Sequence, residues 1–193
     1  MNADRLSDPQ SWRQSWQDGL ANIRRELASQ LPESHDELID RYLALSTYPG
    51  PVGRSPQQNV RDVRLLRAVI EYGHPAAVDV TPPGATGLGE VTITYRGDRP
   101  GQFEAALIAL YERGLTVIDA HLHVERDAPP GQEPVALVRW LVRPVGGAGA
   151  EWNRAFVGAL EARLRQLLID PQALDEAVPQ FIDRRLTPYH PPL

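Results

Sequence analysis

The first third of the chain places its apolar residues at the spacing of α-helices. Trp12, Trp16, Ile23 and Leu27 follow a Ser-Asp-Pro start on one stripe, which is typical of a capped helix. Two further helical stripes come after it, at Leu38, Ile39, Tyr42 and Leu43, and then at Val60, Val63, Leu66, Val69 and Ile70. Residues 1–75 are therefore predicted to form a helical region.

Start and stop signals frame these helices. Ser34 and Glu37 have the spacing of a capping box, in which each side chain satisfies a free backbone amide at the helix start. Ser55-Pro56 predicts the start of a third helix after a turn-rich linker, and Gly73 predicts its end.

From Ala76 onward the apolar pattern changes period. Alternating residues predict strands, and two helical stripes lie between and after them. The predicted strands are 76–80, 91–96, 117–124 and 135–143, and the predicted helices are 103–113 and 152–168. Residues 91–168 therefore follow the order β-α-β-β-α.

This order predicts an α+β fold. Alternating strands with one-sided helices imply an antiparallel sheet that carries both helices on a single face. The arrangement is ferredoxin-like but lacks its last strand, and we expect the early strand 76–80 to fill that place beside 91–96. The predicted sheet domain spans residues 76–170, and residues 171–193 form a tail with at most one or two helical turns.

The second face of this sheet carries Leu137 and Leu141, so we expect something to cover it. The N-terminal helices with Trp12 and Trp16 are one candidate, and a second subunit is the other. The sequence leaves this choice open.

Composition removes several classes of function. The 193 residues carry a formal net charge of -5 and no cysteine, and each of the 20 basic residues is arginine. A net-acidic chain lacks the overall attraction that dominates nucleic-acid affinity, and disulfides and thiolate metal sites are excluded. With no long apolar run and no secretory signal, we expect a cytoplasmic protein that does not bind membranes.

Candidate catalytic and metal-binding chemistry is sparse. His121 and His123 project from one face of a predicted strand and could share a metal with Asp119, but nothing fixes a fourth ligand. A solvated or interfacial histidine pair is the alternative reading. No phosphate loop, serine elbow or cysteine nucleophile is present, so we expect neither an enzyme nor a cofactor.

One segment carries a family resemblance. "RGDRPGQFEAALIALYERGLTVIDAHLHV" combines a strand, an Asp-x-Pro-Gly turn, a helix ending in glycine and a strand with Ile-Asp-Ala. This combination resembles the opening half of an ACT domain, the small regulatory module that often binds amino acids, and the likeness runs from Ala76 to Asp170. Within that family, the order "LIDRYLALS", "HPAAVDV", "GDRPG" most resembles the ACT region of bacterial uridylyltransferase/uridylyl-removing enzymes of nitrogen control. The printed chain leaves no upstream room for their catalytic domains, so we expect shared regulatory architecture without catalysis.

The turn suggests how such a module binds a ligand. Free amides at a helix start suit an anion such as a carboxylate, and Gly101 allows close approach to the backbone. Asp98 either locks the turn or receives a ligand ammonium group. Thr116 offers only a hydroxyl where many amino-acid-binding relatives place asparagine. The resemblance places the pocket between two copies of the chain, at Asp98, Pro100, Gly101, Gln102 and Phe103 of one copy and Thr116, Val117, Ile118 and Asp119 of the other.

The resemblance therefore implies a homodimeric ACT-type regulatory protein that binds an amino acid or a similar small polar ligand and signals to an unidentified protein partner. The alternative is an adaptor whose ACT-like sheet pairs with another protein and binds no small molecule.

Overall fold

The architecture comes from a computed structural model that describes residues 9–32, 34, 36–45, 50–84, 86–97, 101–125, 128–145 and 152–186. Three helices open the chain, and four strands with three more helices follow. The helices are α1 (Pro9–Gln30), α2 (Asp36–Ala44), α3 (Pro56–Ile70), α4 (Gln102–Glu112), α5 (Arg154–Ile169) and α6 (Pro171–Leu186). The strands are β1 (Ala76–Thr81), β2 (Gly89–Arg96), β3 (Leu115–Val124) and β4 (Val135–Pro144), and a short 3-10 helix spans Gly50–Gly53.

The four strands form one antiparallel sheet in the order β1-β2-β4-β3. Val78 of β1 pairs with Ile93 of β2, which pairs in turn with Val138 of β4. The order is that of a ferredoxin-like α+β fold, with β1 in the place of the missing last strand. Both the fold class and the role of the early strand were predicted correctly from the sequence.

Helices α4 and α5 cover one face of the sheet, as the pattern predicted. Their apolar stripes pack with Val91, Ile93 and Trp140 into one core cluster. Helix α6 adds Ala173 and Ala177 to this cluster. The tail therefore contains a 16-residue helix, longer than the one or two turns predicted.

The N-terminal helices cover the other face. A second core cluster joins apolar residues of α1, α2 and α3 to Ala77, Val135 and Leu137 of the sheet. The sheet thus lies between two helical layers. Trp12 and Trp16 are not members of this cluster: they stack on each other with ring centroids 6.4 Å apart, and Trp12 is 45% exposed. Of the two candidates that the sequence left open, the N-terminal helices are the ones that cover this face, but Trp12 and Trp16 are not among the residues that pack on the sheet.

Two of the predicted helix starts have different outcomes. Ser55 caps α3 through a capping box with Gln58, since the Gln58 amide donates to the serine hydroxyl and the glutamine side chain accepts from the Ser55 amide. The predicted capping box at Ser34 is wrong as far as the described residues show. The Ser34 hydroxyl is buried and has no hydrogen-bond partner among them.

Strand β3 forms an edge of the sheet and carries a bulge. Val117 pairs with Val142 and Asp119 pairs with Leu141, so Ile118 has no partner on β4. The bulge shifts the alternation, because Val117 and Ala120 then lie on the same face. The strict alternation predicted for this strand therefore fails at Ile118.

Candidate functional site

The turn that opens α4 is the first part of the predicted binding surface. Gly101 has a φ of 90°, in the left-handed region, and its carbonyl accepts the first helical hydrogen bond from Ala105 at 2.8 Å. Glycine adopts this conformation without the strain of a side chain. Asp98 and Pro100, the predicted partners of Gly101, lie outside the described residues.

A side chain of the same chain lies against this turn. A Cβ atom added to Gly101 would stand 2.7 Å from Cδ2 of Leu174 in α6. The backbone conformation therefore favours glycine here, and any side chain at this position would also require Leu174 to shift. From the sequence, we interpreted Gly101 as a position where a ligand approaches the backbone. In the single chain, Leu174 of α6 occupies the space beside it.

The first residues of α4 divide between the interior and the surface. Gln102 is buried, so its side chain does not face water. Phe103 is 47% exposed, and its ring centroid lies 4.7 Å from that of the buried Trp140. Phe103 is thus anchored on the sheet while one side of its ring remains accessible.

The second group of predicted residues lies at the start of β3. Thr116 and Val117 line a cavity of about 510 Å³ with residues of α4 and with Phe181 of α6. The Phe181 ring meets the ring of Tyr111 edge to face at 5.1 Å. Helix α6 therefore contacts both ends of the predicted binding surface, through Leu174 and Phe181.

Ile118 and Asp119 complete that group and lie at the surface. Ile118 is 44% exposed at the bulge. The Asp119 carboxylate lies 3.1 Å from His121 Nε2 and also accepts from the Ala120 amide at 2.8 Å. Asp119 is held locally and remains open to solvent.

A single chain keeps the two groups apart. Thr116 lies near the start of β3, and Val124 lies at its end. Val124 pairs with Ala136, which pairs in turn with Tyr95, so the end of β3 is level with the end of β2, from which the chain leads to the turn. Eight residue steps along a strand span roughly 26 Å. Gly101 and Thr116 therefore lie at opposite ends of the α4–β3 unit, and one copy does not bring them together.

The exposed edge between them is apolar. Phe103, Ala120, Leu122 and Val124 lie on the α4 side of the sheet at its open edge, and we call these four residues the edge patch. Leu122 is 54% exposed and Val124 is 48% exposed. An edge strand of 10 residues also presents unpaired backbone donors and acceptors. This surface has the chemistry of a pairing site for another strand.

A buried polar network, not predicted from the sequence, joins the other face of the sheet to α3. Arg139 of β4 donates to the Asp62 carboxylate at 2.7 Å, and both side chains are at most 5% exposed. The Tyr42 hydroxyl donates to Asn59 at 2.7 Å and approaches Asp62 at 3.1 Å. Burial raises the pKa of Tyr42 far above its usual range and raises that of Asp62 against the opposing effect of Arg139.

A second ion pair flanks the network at the start of β2. Arg54 donates to Glu90 at 2.7 Å. Burial raises the pKa of Glu90, but the hydrogen bond and charge of Arg54 outweigh it and leave that pKa below its usual value. Charged residues within otherwise apolar stripes, such as Asp62 beside Val63 and Arg139 beside Trp140, were the sequence signal for this network.

His123 belongs to the same network. Its Nε2 atom lies 3.0 Å from Nη1 of Arg139, and the arginine can only donate in this bond. Burial, followed by the charge of Arg139, lowers the pKa of His123 to about 4, so the ring is neutral at pH 7. Asp119, His121 and His123 share a face, yet no cluster suited to a metal occurs within the described ranges.

The hydropathy of the helices adds one further finding. In the part of the chain that the structure describes, none of the helices combines the length and apolar character needed to cross a membrane.

Comparison with known proteins gives a partial relationship. The chain is 33% identical over 116 residues to a protein from Gluconobacter oxydans (strain 621H) named bifunctional uridylyltransferase/uridylyl-removing enzyme. The match covers 57% of this chain but only 12% of that enzyme, so the chain spans about one eighth of its relative's length. No family model matches the chain. A region of the enzyme is thus related to this chain, which agrees with the resemblance found in the sequence as far as that region goes.

Proposed function

We propose that the protein is a dimeric regulatory module of the ACT type, acting in amino-acid or nitrogen control in the cytoplasm, without catalysis of its own. The observation that carries this proposal is the open edge strand β3 with its exposed apolar patch, in a chain that shares a region with a uridylyltransferase/uridylyl-removing enzyme. Burial of such a patch and pairing of such an edge both favour association with a second copy.

The geometry of the proposed dimer follows from the direction of β3. Antiparallel pairing of two β3 strands about a two-fold axis places the start of one strand beside the end of the other. Thr116 of one copy then lies near the end of β3 in its partner, which is the end closest to the turn before α4. In the proposed dimer, Gly101, Gln102 and Phe103 of one copy lie near Thr116, Val117, Ile118 and Asp119 of the other.

The chemistry of the proposed cleft suits a small zwitterion. The free amides of α4 attract a carboxylate, because they lack helical partners and carry partial positive charge. Asp119 of the other copy is an exposed carboxylate that suits an ammonium group, but it lies on the face of the sheet opposite α4, so its side chain has to leave His121 and turn around the sheet edge to reach the cleft. Thr116 supplies a hydroxyl that both donates and accepts.

Helix α6 supplies the two-state element of this proposal. Leu174 lies against Gly101, so a ligand at the start of α4 competes with α6 for space. A ligand that binds only when α6 moves shifts the balance between the two arrangements, and this shift is the signal passed to a partner protein.

The same contact favours a second candidate function. If α6 remains on Gly101, the cleft holds no small molecule, and the β3 edge serves only as a pairing surface for another protein. The chain is then an adaptor, which agrees equally well with the edge patch.

A binding screen separates the two functions. The test is thermal shift followed by calorimetry with each of the twenty common amino acids on the purified chain. A regulatory module gains thermal stability from at least one of them. Thr116→Ala weakens the binding of that amino acid about tenfold or more while the dimer stays intact. A dimer that responds to none of the amino acids is the adaptor.

A further inference from the structure

A second cavity lies between the helical region and the strand ends, on the opposite side of the sheet from α4. Its volume is about 350 Å³, which is within the range of small-molecule sites. Helix α2, the end of α3, the end of β2 and the β3–β4 loop all contribute to its wall. The lining residues used below are Glu37, Arg41, Glu71, Arg96, Gln132 and Glu133.

Arg41 forms a fixed part of this wall. Its guanidinium donates to both oxygens of Glu125 at 2.8 and 2.7 Å and to the Gln132 side chain at 2.7 Å. The two charged side chains are only 10% and 8% exposed. The positive charge of Arg41 is therefore neutralised within the protein, and this residue shapes the cavity without offering a free charge to a ligand.

Arg96 carries a charge that no carboxylate of the described residues neutralises. One terminal nitrogen, Nη2, donates to the carbonyls of Val69 and Ile70 at the end of α3, which fixes the side chain in place. No carboxylate lies within 4.0 Å of Arg96 among the described residues, and its Nε and Nη1 atoms have no acceptor there. Arg96 thus offers a positioned cation with unused donors to the cavity.

Two carboxylates of the cavity wall are also without a cation among the described residues. These are Glu37 at the start of α2 and Glu133 in the β3–β4 loop, whereas Glu71 is held by Arg67 at 2.8 Å. The carboxyl carbon of Glu133 lies 3.7 Å from the place a Cβ atom on Gly97 would take, and Gly97 directly follows Arg96 in the chain. Yet the two side chains do not pair.

We infer that this cavity binds a small zwitterion with an additional positive charge, of which a basic α-amino acid is the simplest example. Its carboxylate faces Arg96, and its ammonium groups face Glu37 and Glu133. A dicarboxylate is disfavoured because it would be repelled by the two carboxylates in the wall. A simple diamine is disfavoured because it leaves Arg96 without a counter-charge. The site is separate from the proposed cleft at the edge patch and does not depend on it.

Occupation of this cavity joins the two parts of the fold. The ligand contacts α2 in the helical region, the β3–β4 loop, and Arg96, which directly precedes the turn before α4. Binding therefore holds the helical region on the sheet and raises the unfolding temperature of the chain.

Calorimetric titration of the full chain with lysine tests the inference. Two analogues separate the charges: cadaverine lacks the carboxylate, and 6-aminohexanoate lacks the α-ammonium group. We expect lysine to bind at millimolar concentration or tighter and each analogue to bind at least about tenfold more weakly, which corresponds to about 1.4 kcal/mol. Arg96→Gln and Glu133→Gln should each weaken the binding of lysine by at least about the same factor.

Controls distinguish this site from others. Arg163→Gln removes an arginine that pairs with Glu112 on the α4–α5 surface, and it should leave lysine affinity unchanged. Because Arg96 also supports the end of α3, Arg96→Lys restores the charge and should recover part of the binding if the charge is what matters. Circular dichroism confirms that each variant is folded.

Three results overturn the inference. The first is no binding of lysine, arginine or ornithine at about 10 mM, a concentration at which even weak sites fill. The second is equal affinity for lysine and cadaverine. The third is lysine binding that survives Arg96→Gln but is lost in Thr116→Ala, which rejects this cavity while it supports the proposed cleft at the dimer interface.

Discussion

Leu174 of α6 lies so close to Gly101 that a Cβ atom on this glycine would stand 2.7 Å from the leucine Cδ2 atom. The contact joins the C-terminal helix to the turn that the sequence marks as a binding element. It makes α6 part of any binding event at the start of α4.

The first prediction concerns this contact. Gly101→Ala should destabilise the chain by about 1–3 kcal/mol, because alanine is strained at a positive φ and its Cβ meets Leu174. Part of this loss is steric, so the double variant with Leu174→Ala should lose less than the sum of the two single changes. Urea unfolding of the four proteins measures the difference. Strict additivity would mean that Leu174 does not restrict this position.

The second prediction concerns ligand access. Removal of the Leu174 side chain frees the space at Gly101, so Leu174→Ala should bind the best amino acid of the screen more tightly, by about tenfold or 1.4 kcal/mol. Ala173→Gly serves as the matched control, since it also loosens α6 but leaves Leu174 in place. Calorimetry on both variants decides the point. Unchanged or weaker binding by Leu174→Ala shows that α6 does not compete with the ligand.

The third prediction concerns the buried pair between sheet and helical region. Arg139→Met removes the nearest cation of the buried Asp62 carboxylate, which then keeps only Arg54 at 3.1 Å, and should cost up to about 3–5 kcal/mol in chemical unfolding. Arg139→Met combined with Asp62→Leu should cost less, since the carboxylate is removed together with its partner. The control Arg163→Met breaks a partly exposed pair with Glu112 and should cost less than about 1 kcal/mol. A loss for Arg139→Met as small as the control's would contradict the importance of the network.

The fourth prediction concerns pH. The pKa of His123 is lowered to about 4 in the folded chain by burial and by the charges of Arg139, His121 and Arg54, against an ordinary value of 6.5. Between these values the unfolded chain binds the proton and the folded chain does not. The contribution of His123 to the free energy of unfolding is therefore fully present above pH 6.5. It is lost as the pH falls towards 4, by up to about 3 kcal/mol.

His123→Gln isolates this contribution from that of Asp62, whose raised pKa acts in the opposite direction. The free energy of unfolding of the wild type should fall more steeply than that of the variant between pH 6.5 and 4. Parallel profiles would mean that His123 titrates normally.

The layers of the fold could be predicted because each helix and each strand is indicated by the hydrophobic pattern of its own segment. A helical period gives way to alternation at Ala76, and the burial of one-sided stripes then dictates the sheet and its two helical faces. Strand β1 could be placed because a loop joins it to β2, its neighbour in the sheet. Helix α6 was underestimated because Pro171 and Pro179 both interrupt the apolar pattern, yet one begins the helix and the other lies inside it.

The parts that could not be predicted depend on contacts between distant residues. Arg139 and Asp62 are 77 positions apart, and no local sequence pattern indicates that their side chains pair in the interior. The same holds for Leu174 and Gly101. The binding residues predicted around Thr116 fall on exposed strand and cavity surface, but whether they form a cleft depends on a second copy of the chain.

The mass of the protein in solution tests the central claim most directly, namely that the β3 edge pairs two copies. Sedimentation equilibrium of the wild type should give twice the chain mass of 21.4 kDa. Leu122→Lys places a charge in the centre of the edge patch and should give the single mass with unchanged circular dichroism. Ile169→Lys, a similarly exposed apolar residue at the end of α5, should remain a dimer. A wild type that stays at 21.4 kDa across the accessible concentrations, or a Leu122→Lys variant that stays dimeric, would contradict the account.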